Sequence, residues 1–423
     1  MFKIGQFGDA HIRGKDIDEI KKCLDFMVKR FEKENPDLII NAGDTFDAYD
    51  VELGSAAADL ALDLHRRLSD IAPVVVIKGT PGHDGNAVNA MRFIAAGYPI
   101  AVIDDHPQQI LLHDDGTFAQ IGASADPSSV VAVISAVPAP TKRFLESISG
   151  GDDIRGADNA VAEAMSAMFA GFGAKAHDYE CPHILVGHWN VTGALISETQ
   201  TLTGVDIEIS KEQMALANAD LVCLGHIHKA QELGPGMFMG GSTQINTWGE
   251  MDAKGFYLHE FERGELDSRP EYQRSTFVET PTTKRIRVKH DCAVAGGVAG
   301  YQAALWGDDY SSTDIQDAIV RIDYKAFVDE IALIKVDEIR EALMVFGAKE
   351  VIISPLVGVP RGNVRSLTIT TMDGLRERLV EAAAMDGGGE VLEAILIKAD
   401  AIQDREPLTV VDLLEMGHPL KKG

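Results

Sequence analysis

The chain has 423 residues, 45% of them hydrophobic and 25% charged, and a formal net charge of −26. That length accommodates about two or three domains with a sizeable core, the composition is that of an ordinary soluble globular protein, and no apolar run nears the roughly 20 residues that cross a bilayer. The acidic surplus lies mostly in residues 1–280 and repels nucleic acid at long range, so a DNA-related role requires a local basic face, bound metal or a basic partner. The four cysteines, Cys23, Cys181, Cys223 and Cys292, form no C-x-x-C pair. Their scatter argues against a zinc ribbon or a disulfide scaffold, and the expected location is the reducing cytoplasm, with no membrane association.

In chain order, a strand-like run from Phe2 ends in Gly8-Asp9-Ala10-His11. Residues 16–33 then show helical spacing of Ile17, Ile20, Leu24, Met27, Val28 and Phe31, and Pro36 breaks that pattern. A second strand from Leu38 ends in Gly43-Asp44, with Asp47 close behind, and leads to a helical stretch at 53–71. A third strand from Val74 ends in His83-Asp84 before a helical stretch at 87–96. Strand alternating with helix predicts a layered α/β sheet. Residues 100–137 change to short apolar runs split by turn residues, which suggests antiparallel strands.

A surface loop follows near residue 150, then an Ala/Met-rich helix at 159–172, a strand ending in Gly187-His188, a helix at 210–219, and the strand Leu221-Val222-Cys223-Leu224 ending in Gly225-His226-Ile227-His228. Residues 236–261 read as closing strands. A boundary falls at 276–283, and a β-α-β pattern without metal-type residues runs from 318 to 354. Residues 374–385 and 390–402 form an αα-hairpin around Asp386-Gly387-Gly388-Gly389. The expected domains are 1–278, 284–371 and 372–423.

Side chains alternate along a strand, so His226 and His228 can point the same way. Two histidines at that spacing also occur by chance, but five strands ending in Asp or His are a poor coincidence. They place oxygen and nitrogen donors along one edge of a sheet, where open α/β sheets bind ligands. Such donors without thiolates suit Mn²⁺, Fe²⁺ or Zn²⁺. Two such ions clamp a phosphate and activate water, and a further imidazole can protonate the leaving oxygen. The remaining histidines, among them His65, His183 and His259, match no motif and are assigned to packing or surface.

The motifs Gly8-Asp9-Ala10-His11, Gly43-Asp44-Thr45-Phe46-Asp47, His83-Asp84, Gly187-His188 and Gly225-His226-Ile227-His228 resemble, in order and spacing, those of the calcineurin-like metallophosphoesterases. Within that superfamily the stretches 188–194 and 241–250, and the small domain after 283, look like the SbcD-type bacterial nuclease subunits related to the Mre-eleven DNA-repair nuclease. The phosphoesterase likeness covers residues 1–275, and beyond that it is architectural. The resemblance implies an α/β fold, a layered sheet sandwich with a small α+β capping domain and C-terminal helices.

It further implies that Asp9, His11 and His228 hold one divalent ion, that His188 and His226 hold another, and that Asp44 bridges the two, with Mn²⁺ the expected metal. His83 would be the catalytic histidine, Asp84 would orient it, and Asp47 would support the motif. The family usually has an Asn where Gly82 stands, so Thr80, a water or a nearby residue must fill that position, or the second ion is held weakly. The implied function is a metal-dependent DNA exonuclease and endonuclease of a double-strand-break repair complex. Its expected partners are DNA, an SbcC-like SMC-type ATPase docked on the 374–402 hairpin, and a second copy of the chain across the 53–71 and 87–96 helices. The alternatives are a nucleotide or small-molecule phosphodiesterase and a catalytically weakened scaffold.

Overall fold

The runs β2 (Leu38–Asn41) and β3 (Val74–Ile77) are buried throughout, as strands inside a sheet covered on both faces are, and β1 (Phe2–Phe7), which carries Lys3 and Gln6, is buried over its last four residues. They are joined by α1 (Ile17–Glu34) and α2 (Ala56–Ser69), amphipathic helices that supply the crossovers parallel pairing requires. The computed structural model describes residues 1–356 except 123–125, 141–153, 198–199, 201–206, 251, 264–268, 292–314 and 328–330, and the backbone alone of 154–161. The chain divides into two compact units, residues 1–326 with 330–358 and residues 327–329 with 359–423. The hairpin expected at 374–402 lies outside the described residues.

Strand β4 (Ile100–Ile103) pairs in parallel with β3, contrary to the antiparallel expectation for this stretch, because the 3-10 helix Asn86–Phe93 carries the chain back across the sheet. The antiparallel strands begin at β5 (Gln108–His113), β6 (Phe118–Gln120) and β7 (Val130–Val137), which open a second sheet. Helix α3 (Ile154–Ala176) leads to β8 (His183–His188), the short pair β9 (Asn190–Val191) and β10 (Glu208–Ile209), and α4 (Lys211–Ala215). The helix expected at 210–219 is thus shorter. Its start is a capping box, in which Ser210 Oγ accepts from Gln213 N at 3.2 Å and Gln213 Oε1 accepts from Ser210 N at 3.0 Å.

Strands β11 (Leu221–Gly225), β12 (Gln231–Gly234) and β13 (Met237–Met239) complete a seven-stranded sheet of order β12-β13-β11-β8-β7-β5-β6. The chain then returns to the first sheet through β14 (Gly255–Arg263) and β15 (Pro270–Glu279), giving the order β15-β14-β1-β2-β3-β4.

Alternation along the strands sets the layers. Ile4, Leu38, Ile40, Val75 and Ile77 face Ile110, Ile134, Ile184, Val186 and Cys223 between the sheets. On the outer face of the first sheet Phe7, Ile39, Val74 and Val76 pack under Leu24, Met27 and Phe31 of α1 and Leu64 of α2. On the outer face of the second, Leu185, Val222 and Leu224 pack under Met165 and Phe169 of α3 and Met214 of α4. The result is a helix–sheet–sheet–helix α/β sandwich.

Residues 285–355 form a separate parallel sheet, β16 (Arg285–Asp291), β17 (Ile319–Lys325) and β18 (Glu350–Pro355). Helix α5 (Val336–Val345) packs Ile339 and Leu343 on Val320, Ile322 and Tyr324. Glu19 of α1 reaches this region by accepting from Thr283 N at 2.5 Å and Thr283 Oγ1 at 2.7 Å. Among the described residues no helix is long and apolar enough to cross a membrane.

Candidate metal centre

The loops that follow the parallel strands β1, β2 and β3 carry Asp9 and His11, Asp44, and Thr80 and His83, while β8 ends at His188 and the loop after β11 carries His226 and His228. The donors therefore come from the ends of two facing sheets and not from one sheet edge, since the chain splits its strands between the layers of a sandwich. Polar links stitch the two ends together. His188 Nδ1 donates to the Ala42 carbonyl at 2.7 Å, and His226 N lies 3.0 and 3.1 Å from the two Asp9 carboxylate oxygens. Gly225 is needed for this approach: a Cβ there would stand 2.3 Å from the Ala42 oxygen and 2.9 Å from His188 Nδ1. Its φ is not positive, so close packing, and not a turn, requires the glycine.

Local backbone strain marks the same place. Asp9 (φ 49°), His11 (φ 41°), Asp44 (φ 51°) and His226 (φ 98°) all lie in the left-handed region. A non-glycine residue there costs roughly 1–3 kcal/mol, and only the surrounding structure holds it. Four such residues converging on one centre aim side chains that relaxed strand ends would splay apart.

Among the described residues the donors fall into three groups whose ligand atoms lie within 4.8 Å of one another, and two of them, Asp9 with His11 and His228 and Asp44 with His188 and His226, share no residue, while the third joins His11 to Asp47 and His83. His11 Nε2 and His228 Nε2 approach to 3.0 Å. His228 Nδ1 donates to Glu250 Oε1 at 2.8 Å, so its Nε2 presents a bare lone pair. His188 is fixed in the same way by the Ala42 carbonyl and turns Nε2 toward Asp44 Oδ2, 3.3 Å away. Bonds of about 2.1 Å at right angles put neighbouring ligands about 3.0 Å apart. Convergent lone pairs at that spacing fit divalent cations bound by nitrogen and oxygen.

Electrostatics agree with the need for positive charge. Burial pushes the Asp9 carboxyl up to about 6, against the pull of His188. Burial opposes ionisation of Asp44 too, but His188 outweighs it and holds that carboxyl well below the usual range. Burial likewise opposes charging His188, and Asp44 overcomes it, raising the imidazole to about 9. In the metal-free chain a proton on His188 balances Asp44, and a bound cation takes over that role and releases the proton.

His83 lines the cleft above these clusters, with its ring 4.5 Å from that of His11. Its Nδ1 donates to the Asp47 carbonyl at 3.1 Å, which leaves Nε2 for a substrate. Asp84, expected to orient His83, makes its hydrogen bonds to the backbone. Both Asp84 oxygens accept backbone N–H groups, Oδ1 from Phe46 at 3.0 Å and Oδ2 from Gly79 at 2.9 Å, so Asp84 ties the second motif to the third. Burial, and then Asp44, push its carboxyl up to about 6. Asp47 Oδ1 lies 3.4 Å from His11 Nδ1 and 3.4 Å from Arg13.

Glu250 has no role in the sequence reading. It is 1% exposed, and Lys254, also 1% exposed, meets its Oε2 at 2.8 Å while donating to the His228 carbonyl at 3.0 Å. Burial opposes its ionisation, but the His228 hydrogen bond and Lys254 outweigh it and bring the carboxyl down to about 2. Nothing in the sequence separates Glu250 from a surface glutamate.

Residues 2–230 match the family model for calcineurin-like phosphoesterases, and the chain belongs to that family. No curated protein matches it. Family membership and the two donor clusters together make it a metal-dependent phosphoester hydrolase.

Proposed function

We propose that the chain is a DNA nuclease of the SbcD type, hydrolysing phosphodiester bonds with two divalent ions, Mn²⁺ being the expected pair. The observation that supports this most is a cleft of about 750 Å³ lined by His11 and His228 of the first cluster and Asp44 and His226 of the second, with Arg13, Lys15, Trp248 and Arg285 beside them. Arg285 lies 5.4 Å and Arg321 5.6 Å from the Trp248 ring centre. An aromatic face with guanidinium groups beside a hydrolytic centre suits a nucleic acid strand, whose bases stack and whose phosphates need positive charge. In a chain of net charge −26 the cations of this lining are offset by Asp16, Asp47 and Glu350, so bound divalent ions would supply the net positive charge that a phosphate needs.

Divalent ions at such a centre polarise the phosphate and lower the pKa of attacking water. The chain's own residues do the rest. His83 Nε2 gives a proton to the leaving oxygen, with its ring held by the Asp47 carbonyl. The Asp84 tether keeps the His83 loop against Asp44, and Trp248 with Arg285 orients the strand.

The reading extends to partners. A second copy docks beside α2 and the 3-10 helix Asn86–Phe93, where Tyr49 (64%), Leu53 (57%) and Phe93 (82%) are exposed. An SbcC-like SMC-type ATPase docks on residues 374–402, and the complex works in cytoplasmic double-strand-break repair.

The test offers the purified full chain with Mn²⁺ a small aryl phosphodiester, nucleotides, single-stranded DNA and duplex ends, with and without the ATPase. Metal-dependent DNA cleavage is expected. Cleavage of small phosphodiesters with DNA left intact under all conditions points instead to a nucleotide or small-molecule phosphodiesterase, and metal binding without any hydrolysis points to a scaffold.

A further inference from the structure

We propose that the Thr80 hydroxyl is an oxygen ligand of the second metal position, completing the cluster of Asp44, His188 and His226. The inference rests on the two-ion reading above. Thr80 Oγ1 lies 3.2 Å from Asp44 Oδ2, 3.2 Å from His188 Nε2 and 3.5 Å from His226 Nδ1. These separations are close to the donor–donor spacing of a six-coordinate divalent ion with bonds of about 2.1 Å. They also match the 3.0 Å between the two imidazole nitrogens of the first cluster.

The hydroxyl has one proton and two lone pairs. If the proton goes to Asp44 Oδ2, both lone pairs turn toward the two imidazoles. Asp44, His188 and His226 all bring polar atoms within 3.5 Å of this one hydroxyl, and a cation can draw on a lone pair of each of them together once His188 has released its proton.

The backbone fixes the hydroxyl in this place. Thr80 N donates to Asp44 Oδ1 at 2.6 Å, so the residue is tied to the same carboxylate through both its main chain and its side chain. Gly79 permits that approach, since a Cβ there would stand 2.2 Å from Asp44 N and Oδ1. Three residues after Gly79, a Cβ added at Gly82 would meet nothing within 4 Å, so neither a side chain at that position nor a neighbour's atom fills the space there. A neutral hydroxyl is a weaker donor than a carboxylate or an imidazole. The second position should therefore be the looser of the two, and Thr80 should tune it without affecting the first.

The test is Mn²⁺ titration by calorimetry with metal counting by elemental analysis, on the full chain and on Thr80→Val and Thr80→Ser. Valine keeps the shape and removes the oxygen, while serine keeps the oxygen. The wild type should show two sites, and Thr80→Val should weaken the second by about tenfold or more while leaving the first within about twofold. Thr80→Ser should restore two-site binding, and unchanged thermal melting of all three metal-free proteins excludes misfolding as the cause. Two sites of unaltered affinity in Thr80→Val overturn the role of Thr80 and leave the two-ion reading intact. A wild type that binds a single ion overturns both.

Discussion

Glu250→Gln separates metal orientation from fold stability. The carboxylate accepts from His228 Nδ1 through Oε1 and from Asn246 N through Oε2, and it compensates the buried Lys254 ammonium. Glutamine keeps the volume but removes the charge, leaving Lys254 desolvated with only the His228 carbonyl for company. Removing one partner of a buried pair costs about 3–5 kcal/mol. The single amide oxygen cannot accept from His228 Nδ1, Asn246 N and Lys254 together, and where the NH2 turns to the metal-facing histidine that ring loses its acceptor, at a cost of about 10–100-fold in metal affinity. The double variant Glu250→Gln/Lys254→Met removes the stranded charge, so it should recover most of the stability but not the affinity. Urea denaturation of metal-stripped protein reads the first quantity and Mn²⁺ calorimetry the second. If the single variant keeps both stability and affinity, the Glu250 carboxylate does not orient His228.

Other outcomes test the remaining parts of the centre. His83→Ala should retain both ions by elemental analysis and lose about 10²–10⁴-fold in hydrolysis of a small phosphodiester, and loss of metal would show that His83 is a ligand. Gly225→Ala should push the Ala42 carbonyl away from His188 and weaken the second metal position, visible as a lower Mn²⁺ affinity with an intact far-ultraviolet spectrum; unchanged affinity would contradict the close-packing argument. Burial, opposed only by the Ala61 carbonyl, brings the His65 imidazole down to about 4, and burial brings His259 down to about 3. The unfolded forms of both take up protons near 6.5, so this contribution is complete above that pH and is lost as pH falls toward 4, at up to about 1.4 kcal/mol per unit for each residue. Denaturation midpoints that stay level from pH 7.5 to 4.5 would refute it.

Periodicity and punctuation alone determined much of this protein. Continuous apolar runs at 38–41 and 74–77 could only be strands buried on both faces, and the helical spacing of Ile20, Leu24, Met27 and Phe31 could only be a helix covering them. Asp or His after each of five such strands is legible as chemistry because a strand end delivers its side chains to a common edge. These are local properties, carried by residues a few positions apart.

What only the tertiary structure decided are relations between residues far apart in the chain. The pairing of the two sheets, and hence which strand ends meet, follows from burying both inner faces at once, and no single stretch encodes it. His188 depends on a carbonyl 146 positions away, and His226 N on a carboxylate 217 positions away. Glu250 became a partner of His228 only when its turn closed over β11, and Asp84 was drawn off His83 by the backbone of the second motif. Sequence spacing records which donor types exist and on which elements they stand. Which lone pair faces which cation position depends on tautomers, and those are set by carbonyls and carboxylates that only a packed chain brings within hydrogen-bonding distance.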